Sequence, residues 1–191
     1  MSAGFALRLA RIADAPAIAR VHVETWRSAY AGLVPDTYLV GMTESERAQA
    51  WLQRLIKPDK TAATVVAEVA PRGVSQVVGF GDCGPARSPQ VGCDGEVYAL
   101  YVAPDWQGRG IGRALLERCF RELAKAGFDS AAVWVLSENP SRFFYEAMGG
   151  RRIAEDSRVF ASKPLSETAY AWVGLGDWRA AGKAPRSSSN G

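Results

Sequence analysis

The chain has 191 residues, with 23 lysines and arginines against 20 aspartates and glutamates, a formal net charge of +3 and 48% apolar residues. These values exclude a largely disordered chain, because the apolar residues suffice to offset the entropy lost on folding. The basic residues are scattered among acidic ones, so the charge does not indicate a nucleic-acid partner. We predict a single domain over residues 1–178 and a disordered tail over residues 179–191, where small and polar residues dominate.

Metal and membrane sites are also disfavoured. The chain has one histidine, and Cys83, Cys93 and Cys119 form no C-x-x-C pair, so too few ligands exist for zinc and we predict no metal. We expect three reduced thiols. Arg8 and Arg11 interrupt the apolar segment that a signal peptide would need, and no run of about 18 apolar residues exists. The sequence predicts a soluble, cytoplasmic protein with no membrane partner.

The first third of the chain predicts a strand followed by helices. Residues 5–12 alternate apolar and basic side chains, which is typical of a strand with one buried face. Asp14 is the predicted N-cap of an amphipathic helix that ends near Tyr30. Residues 35–40 are predicted as a short helical piece and residues 43–56 as a further helix, opened by the capping-box pair Thr43 and Glu46.

The remaining two thirds alternate strands with helices. The predicted strands are residues 61–69, 76–83, 96–102, 131–136, 151–153 and 170–175, and the predicted helices are residues 110–126 and 141–148. The first two strands form a hairpin, whereas the central strand–helix–strand unit requires a parallel pair with a right-handed crossover. Residues 131–136 are an unbroken apolar run, so we place Trp134 in the core. The order predicts an α/β fold with a mixed sheet and helices on both faces.

A glycine-rich segment carries the strongest local signal. Residues 107–112 read Gln-Gly-Arg-Gly-Ile-Gly and join a strand to an amphipathic helix. Glycines at a helix N-terminus expose backbone N–H groups that bind phosphate or pyrophosphate well. These residues alone are equally consistent with a tight turn. A P-loop and a dinucleotide fingerprint are both excluded, because Arg113 and Ala114 stand where the former needs Lys and Ser or Thr, and Arg113 and Leu115 occupy the latter's last glycine position.

The pattern Q-x-x-G-x-G, formed by Gln107, Gly110 and Gly112, resembles the GNAT superfamily of acetyl-CoA-dependent N-acetyltransferases. The flanking residues 96–104 and 113–116 look like that family's central strand and helix, and residues 139–149 resemble its second cofactor segment. The resemblance implies the GNAT fold, with a mixed sheet of about six or seven strands that splays between its two central parallel strands.

The resemblance also implies roles for individual residues. Tyr101 and Val102 would pair their free backbone groups with the pantetheine arm, and one of their amides would polarise the thioester carbonyl. Asn139 would hydrogen-bond the pantetheine, and Tyr145 would protonate the departing thiolate. The pyrophosphate would be bound by the backbone of Gln107, Gly108, Arg109, Gly110, Ile111, Gly112 and Arg113. The implied reaction is direct transfer of acetyl from acetyl-CoA, as cosubstrate, to a primary amine of a small molecule.

The general base has two readings. Glu96 begins the central strand, and some family members carry a catalytic glutamate at the matching position. The alternative is that Glu96 is a solvated carboxylate at a strand end. These readings stay open at the level of the sequence.

The acceptor site is predicted on the first helix. Glu24 is a candidate carboxylate there, although an ion pair with Arg20 or Arg27 is the favoured interpretation. His22 shares this helix and is expected to be packed rather than catalytic. The candidate walls of the acceptor pocket are Trp26, Tyr30 and Tyr38. The alternative is that these three aromatic residues belong to the core.

Two alternatives remain beside the small-molecule enzyme, and the oligomeric state is open. A non-catalytic acyl-CoA sensor on the same fold is disfavoured because Tyr145 and Asn139 are both present. An enzyme that acetylates protein or peptide amines would need an open groove, and residues 84–95 would help to shape it. A homodimer is an open possibility, since exposed last strands often pair in the GNAT fold. Neither the acceptor nor the acyl chain length follows from the sequence.

Overall fold

The computed structural model describes residues 4–57, 59–161 and 163–178, so the predicted tail over residues 179–191 lies outside the described part. A seven-stranded sheet with strand order β1-β2-β3-β4-β5-β7-β6 organises the fold. The strands are β1 (Ala6–Leu9), β2 (Ala63–Val69), β3 (Gln76–Pro85), β4 (Gly95–Val102), β5 (Ser130–Leu136), β6 (Arg151–Phe160) and β7 (Lys163–Val173). The helices are α1 (Ala15–Ala29), α2 (Asp36–Gly41), α3 (Glu44–Ile56), α4 (Ile111–Lys125) and α5 (Arg142–Ala147).

The parallel strands β4 and β5 separate soon after they meet. Their pairing consists of Gly95 opposite Ala131 and Glu96 opposite Ala132, whereas the other neighbouring strands pair in antiparallel fashion over longer stretches. Beyond Glu96 the two strands diverge and leave an opening in the middle of the sheet. This mixed, splayed sheet confirms the predicted fold class.

Helices cover both faces of the sheet because the strands alternate their side chains. On β2, Val65 packs with Leu115 of α4, and the next residue, Val66, packs on the opposite face with Ile18 of α1 and with Phe80. All five side chains are fully buried. In the described residues, no helix is long and apolar enough to cross a lipid bilayer.

The helix ends test the capping predictions. The N–H of Glu46 donates to Thr43 Oγ1 at 3.2 Å, so the predicted cap of α3 is confirmed. Asp14 occupies the predicted N-cap position of α1, but its side chain makes no capping bond to that helix. It accepts instead from Arg11 N at 2.6 Å and from Arg8 Nη1 at 2.6 Å. A charged guanidinium donor binds a carboxylate more strongly than a helix N–H does.

The terminal strands differ most from their predicted bounds. β1 covers four residues rather than residues 5–12, because the chain turns into a short 3-10 helix at Ile12–Asp14. The hairpin β6–β7 has strands of 10 and 11 residues, far longer than the predicted residues 151–153 and 170–175. Most of β6 is exposed, as befits an edge strand. Its main-chain pairing with β7 forms without the apolar alternation on which the prediction relied.

The three cysteines, Cys83, Cys93 and Cys119, are free thiols, as predicted. Cys83 and Cys119 are fully buried.

Candidate active site

The glycine-rich segment forms the turn that leads into α4. Gly108 and Gly110 have φ angles of 71° and 79°, a left-handed conformation that favours glycine over other residues. No side chain caps the start of α4, and the first N–H groups of a helix lack intrahelical acceptors. Gly110, Ile111 and Gly112 border an open cavity at this point. The turn can therefore present N–H donors and the positive end of a helix dipole to an anion.

Three adjoining cavities run through the splay. The cofactor cavity, of about 460 Å³, lies beside the glycine turn. The central cavity, of about 310 Å³, lies between β4 and β5 and shares Leu100, Gln107, Ser141 and Tyr145 with the cofactor cavity. The acceptor cavity, of about 430 Å³, shares Tyr30, Val97, Tyr98, Tyr101, Trp134 and Val135 with the central one. Together they form a continuous cleft that crosses the sheet.

The backbone of β4 faces this cleft at alternate residues. Ala103 N donates to Val78 O of β3 at 2.8 Å, and Tyr101 is paired with Phe80 of the same strand. Because neighbouring residues point their backbone groups to opposite sides, those of Leu100 and Val102 face the splay. The expectation that Tyr101 offers free backbone groups is therefore wrong. The alternation places Leu100 there instead, and only the pairing with β3 fixes which residues face the cleft.

Two residues of the Asn139–Tyr145 segment lie at the junction of the cavities. Tyr145 of α5 is 8% exposed and borders both the cofactor cavity and the central cavity. Burial raises the pKa of its hydroxyl, so the phenol stays protonated at neutral pH. Asn139 borders the central cavity, and its Oδ1 accepts from Ser141 N at 2.8 Å. That bond leaves the side-chain NH2 as the donor for a ligand.

The side chains of Gln107 and Arg109 stabilise the glycine turn itself. Gln107 Nε2 donates to Val102 O at 3.0 Å. The Arg109 guanidinium lies 4.6 Å from the ring centre of Trp106, a cation–π contact. Trp106 also borders the cofactor cavity, which agrees with its position just before the turn.

Aromatic side chains line the acceptor cavity. Trp26 of α1 and Tyr30, the residue after α1, border it, and Trp26 Nε1 donates to the Tyr101 hydroxyl at 3.1 Å. Tyr38 lies in a second layer, with its ring centre 4.6 Å from that of Phe160. Trp134 was expected in the core but borders both the central and the acceptor cavity. The splay leaves this part of β5 unpaired on its β4 side, although β7 still pairs with its other side.

The acceptor cavity also contains two ion pairs. Glu96 is 1% exposed, so the solvated reading is wrong. It accepts from Arg87 N at 2.9 Å, Arg87 Nε at 3.1 Å and Arg87 Nη2 at 2.5 Å. The second pair joins Arg158 Nε to Glu167 Oε2 at 3.3 Å. Burial raises the pKa of Glu167 above its ordinary range. Arg87, Arg158 and Glu167 were not predicted from the sequence, because no sequence motif marks charged residues in loops and edge hairpins as part of a site.

Glu24 and His22 of α1 have structural partners, an ion pair for Glu24 and packing for His22. Both Glu24 carboxylate oxygens accept from Arg20 Nη1 at 3.1 Å. Glu24 lies two residues from Trp26, or roughly 200° around the helix axis, so it faces away from the acceptor cavity. His22 Nδ1 accepts from Trp51 Nε1 at 3.2 Å. Burial and the nearby Arg47 lower the pKa of His22 to about 4, so it is a neutral, packed side chain.

Known proteins are similar in sequence to this chain over most of its length. Residues 60–149 match the family model described as acetyltransferase (GNAT) domain. The chain is 38% identical over 169 residues to the uncharacterized N-acetyltransferase YuaI of Bacillus subtilis, covering 88% of this chain and 93% of that one. It is 30% identical over 178 residues to Rv2775 of Mycobacterium tuberculosis, described as a probable N-acetyltransferase, covering 92% and 94%.

Two solved structures show the same fold. PaiA N-acetyltransferase from Thermoplasma acidophilum, in complex with coenzyme A, has a TM-score of 0.63 and 17% identity, covering 86% of this chain and 98% of that one. YncA from Salmonella typhimurium, with its cofactor acetyl-CoA, has a TM-score of 0.64 and 24% identity, covering 95% and 99%. The splayed sheet, the glycine turn and the matches along the chain lead to one conclusion: this chain belongs to the GNAT family of N-acetyltransferases.

Proposed function

We propose that this acyltransferase transfers the acetyl group of acetyl-CoA to a primary amine of a small molecule. The observation that carries the proposal is the continuous cleft through the splay, with Tyr145 at the junction of its cofactor and central cavities. PaiA and YncA, which share the fold, were solved with coenzyme A and acetyl-CoA. An acceptor cavity of about 430 Å³ suits a small amine.

The cofactor is proposed to lie along the cofactor and central cavities. The N–H groups of residues 107–113 bind its pyrophosphate. Leu100 and Val102 direct backbone groups into the splay, where they pair with the pantetheine arm, and one of the two amides polarises the thioester carbonyl. Asn139 donates its side-chain NH2 to the same arm.

The chemistry is a direct attack of the amine on the thioester carbonyl carbon. The resulting tetrahedral intermediate collapses with cleavage of the C–S bond. Tyr145 donates its proton to the thiolate, and its buried hydroxyl is protonated at neutral pH and ready to do so. The scheme uses no cysteine as an acyl carrier.

The acceptor reaches the cleft mostly as an ammonium ion, so a base must remove a proton first. Glu96 is the first candidate, since it borders the acceptor cavity. Its carboxylate accepts three hydrogen bonds from Arg87, and each of them stabilises the charged form. Arg87 must therefore turn away before Glu96 can accept a proton, and its 64% exposed side chain leaves room to do so.

The proposal is tested by thiol release from acetyl-CoA against a panel of amino acids, polyamines, aminoglycosides, phosphinothricin-like compounds and short peptides. We expect turnover with at least one class of small amine and with no peptide. Turnover confined to peptides would replace the small-molecule assignment with a protein or peptide acetyltransferase. Binding of acetyl-CoA in calorimetry without any turnover would favour a sensor, and absence of binding would contradict the cofactor assignment.

A further inference from the structure

Glu167 is a second carboxylate in the acceptor cavity, and it comes from a part of the fold that carries no motif. It lies on β7, opposite Leu136 of β5 and Asp156 of β6. Its side chain is 24% exposed and borders the same cavity as Glu96. Neither the glycine turn nor the pantetheine arm requires a carboxylate there.

The sheet register places Glu167 level with the reacting end of the cleft. Glu96 pairs with Ala132, so Leu100 and Leu136 each lie four residues farther along their parallel strands. Glu167 is directly opposite Leu136, which places it at about the height of Leu100, whose backbone groups face the splay. Residues directly opposite on a sheet share a face, and side chains alternate along a strand, so Glu167 also lies on the Trp134 side.

The two carboxylates differ in how firmly they are held. Glu96 accepts three hydrogen bonds from Arg87. Glu167 has one ion pair, to Arg158 at 3.3 Å, and Arg158 Nε lies equally close to Asp156 Oδ2 at 3.3 Å. Glu167 can thus accept a proton while Arg158 stays paired with Asp156. In the described part of the chain, the ion pair of Arg87 is with Glu96 alone.

Burial decides the net effect of the surroundings on the protonation of Glu167. Burial and the like charges of Asp156 and Glu96 favour its neutral form, whereas Arg158 and Arg87 favour its charged form, with the net effect that its pKa is raised. Tyr30, which follows α1, also interacts with it electrostatically. A carboxylate with a raised pKa is a better proton acceptor at neutral pH than an ordinary glutamate.

We propose that Glu167 is the catalytic residue that accepts the first proton from the acceptor ammonium, an assignment that rests on the proposed function. The ammonium N–H bond breaks and its proton moves to a Glu167 oxygen, which leaves the nitrogen lone pair free to form the C–N bond. Collapse of the intermediate breaks the C–S bond. The nitrogen then loses a second proton, which replaces the one that Tyr145 gives to the thiolate, and Glu167 releases its proton to solvent.

The test compares Glu167→Gln with Glu96→Gln and with Glu155→Gln, on the fastest amine of the panel and across pH. Glu155→Gln is the matched control, since Glu155 lies in the same β6–β7 hairpin and pairs with Arg152 but is not among the residues that line the acceptor cavity. We expect Glu167→Gln to lower kcat/KM about 100-fold at neutral pH and to remove the acidic limb of the wild-type profile that Glu167 controls. The loss should shrink at alkaline pH, where the amine is already uncharged.

An unchanged acetyl-CoA Kd in Glu167→Gln will show that the cleft is folded, and Glu167→Asp should recover part of the activity because it keeps a carboxylate. Superimposable pH profiles for Glu167→Gln and the wild type would overturn the assignment, and a 100-fold loss confined to Glu96→Gln would move the base to Glu96. An equal loss in Glu155→Gln would make the effect structural. A wild type that turns over no amine contradicts the proposed function itself, an outcome distinct from these.

Discussion

The cofactor side and the acceptor side of the cleft are built in different ways. The cofactor side is lined by two stretches of chain, residues 100–113 and residues 141–148, and the first of them includes the glycine turn with its backbone N–H donors. The acceptor side consists of side chains from α1, from the loop before β4 and from four strands, β4 to β7. A backbone donor is fixed by local chain geometry and is independent of side-chain type. The acceptor side can therefore change its chemistry by substitution while the cofactor side keeps its own.

Tyr145 borders the cofactor side and the central cavity, so its substitution tests where the two sides meet. We expect Tyr145→Phe to lower kcat about 100- to 1000-fold, because the thiolate loses its proton donor. The acetyl-CoA Kd should change by less than about twofold, since the ring stays in place. Thiol release measures kcat, and calorimetry measures the acetyl-CoA Kd.

A matched control for this change is Tyr170→Phe. Tyr170 is also buried, and its hydroxyl donates to Glu146 Oε1 at 2.6 Å. That variant should lose about 1 kcal/mol of unfolding free energy and keep its kcat. An unchanged kcat in Tyr145→Phe would remove Tyr145 from the mechanism.

The ion pair of Arg87 and Glu96 tests whether the acceptor side can be destabilised without weakening acetyl-CoA binding on the cofactor side. Arg87→Met leaves a carboxylate that is 1% exposed without its guanidinium partner, and we expect a loss of about 2 kcal/mol in unfolding free energy. Glu96→Gln should lose less than about 1 kcal/mol, because Arg87 can turn its exposed side chain to water. Urea denaturation gives both values. Equal losses, or a weakened acetyl-CoA Kd in either variant, would contradict the separation.

His22 lies beneath the acceptor side and gives a pH test of packing there. Its pKa in the folded protein is about 4 against an ordinary 6.5, so the unfolded chain binds the proton more readily. The unfolding free energy should be unaffected by His22 above pH 6.5 and should fall by about 1–3 kcal/mol as the pH drops from there towards 4. In His22→Asn this part of the pH dependence should disappear, while a carboxylate-driven loss remains. Identical pH profiles would mean that His22 is solvated.

The smallest expected effect separates backbone conformation from cofactor binding. Gly110 and Gly174 both have positive φ, 79° and 70°, and a Cβ at either would meet no atom within 4 Å. Alanine at either position should lower the unfolding free energy by about 1 kcal/mol. We expect only Gly110→Ala to weaken acetyl-CoA binding, by about fivefold, because its turn presents the N–H donors. Equal Kd values in the two variants would contradict the anion site.

The sequence predicted best where local chemistry decides the conformation. The glycine turn, the capped start of α3 and the β2–β3 hairpin all follow from short stretches whose backbone preferences do not depend on distant residues. The β6–β7 hairpin did not follow, because its edge strand is exposed and is held by main-chain pairing. Trp134 was misplaced for a related reason, since an apolar run predicts burial but not the loss of a neighbouring strand.

By itself, the sequence determined the α/β order of elements, the family and the glycine turn, because these depend on glycine conformations and periodic apolar residues within short windows. Only the tertiary structure decided that the backbone groups of Leu100, rather than those of Tyr101, face the splay. It also decided that Glu24 faces away from the acceptor cavity, and that Glu96 and Glu167 border one cavity. Those outcomes depend on strand register and on ion pairs between residues far apart in the chain. Such contacts form only when the sheet is assembled, so no local pattern encodes them.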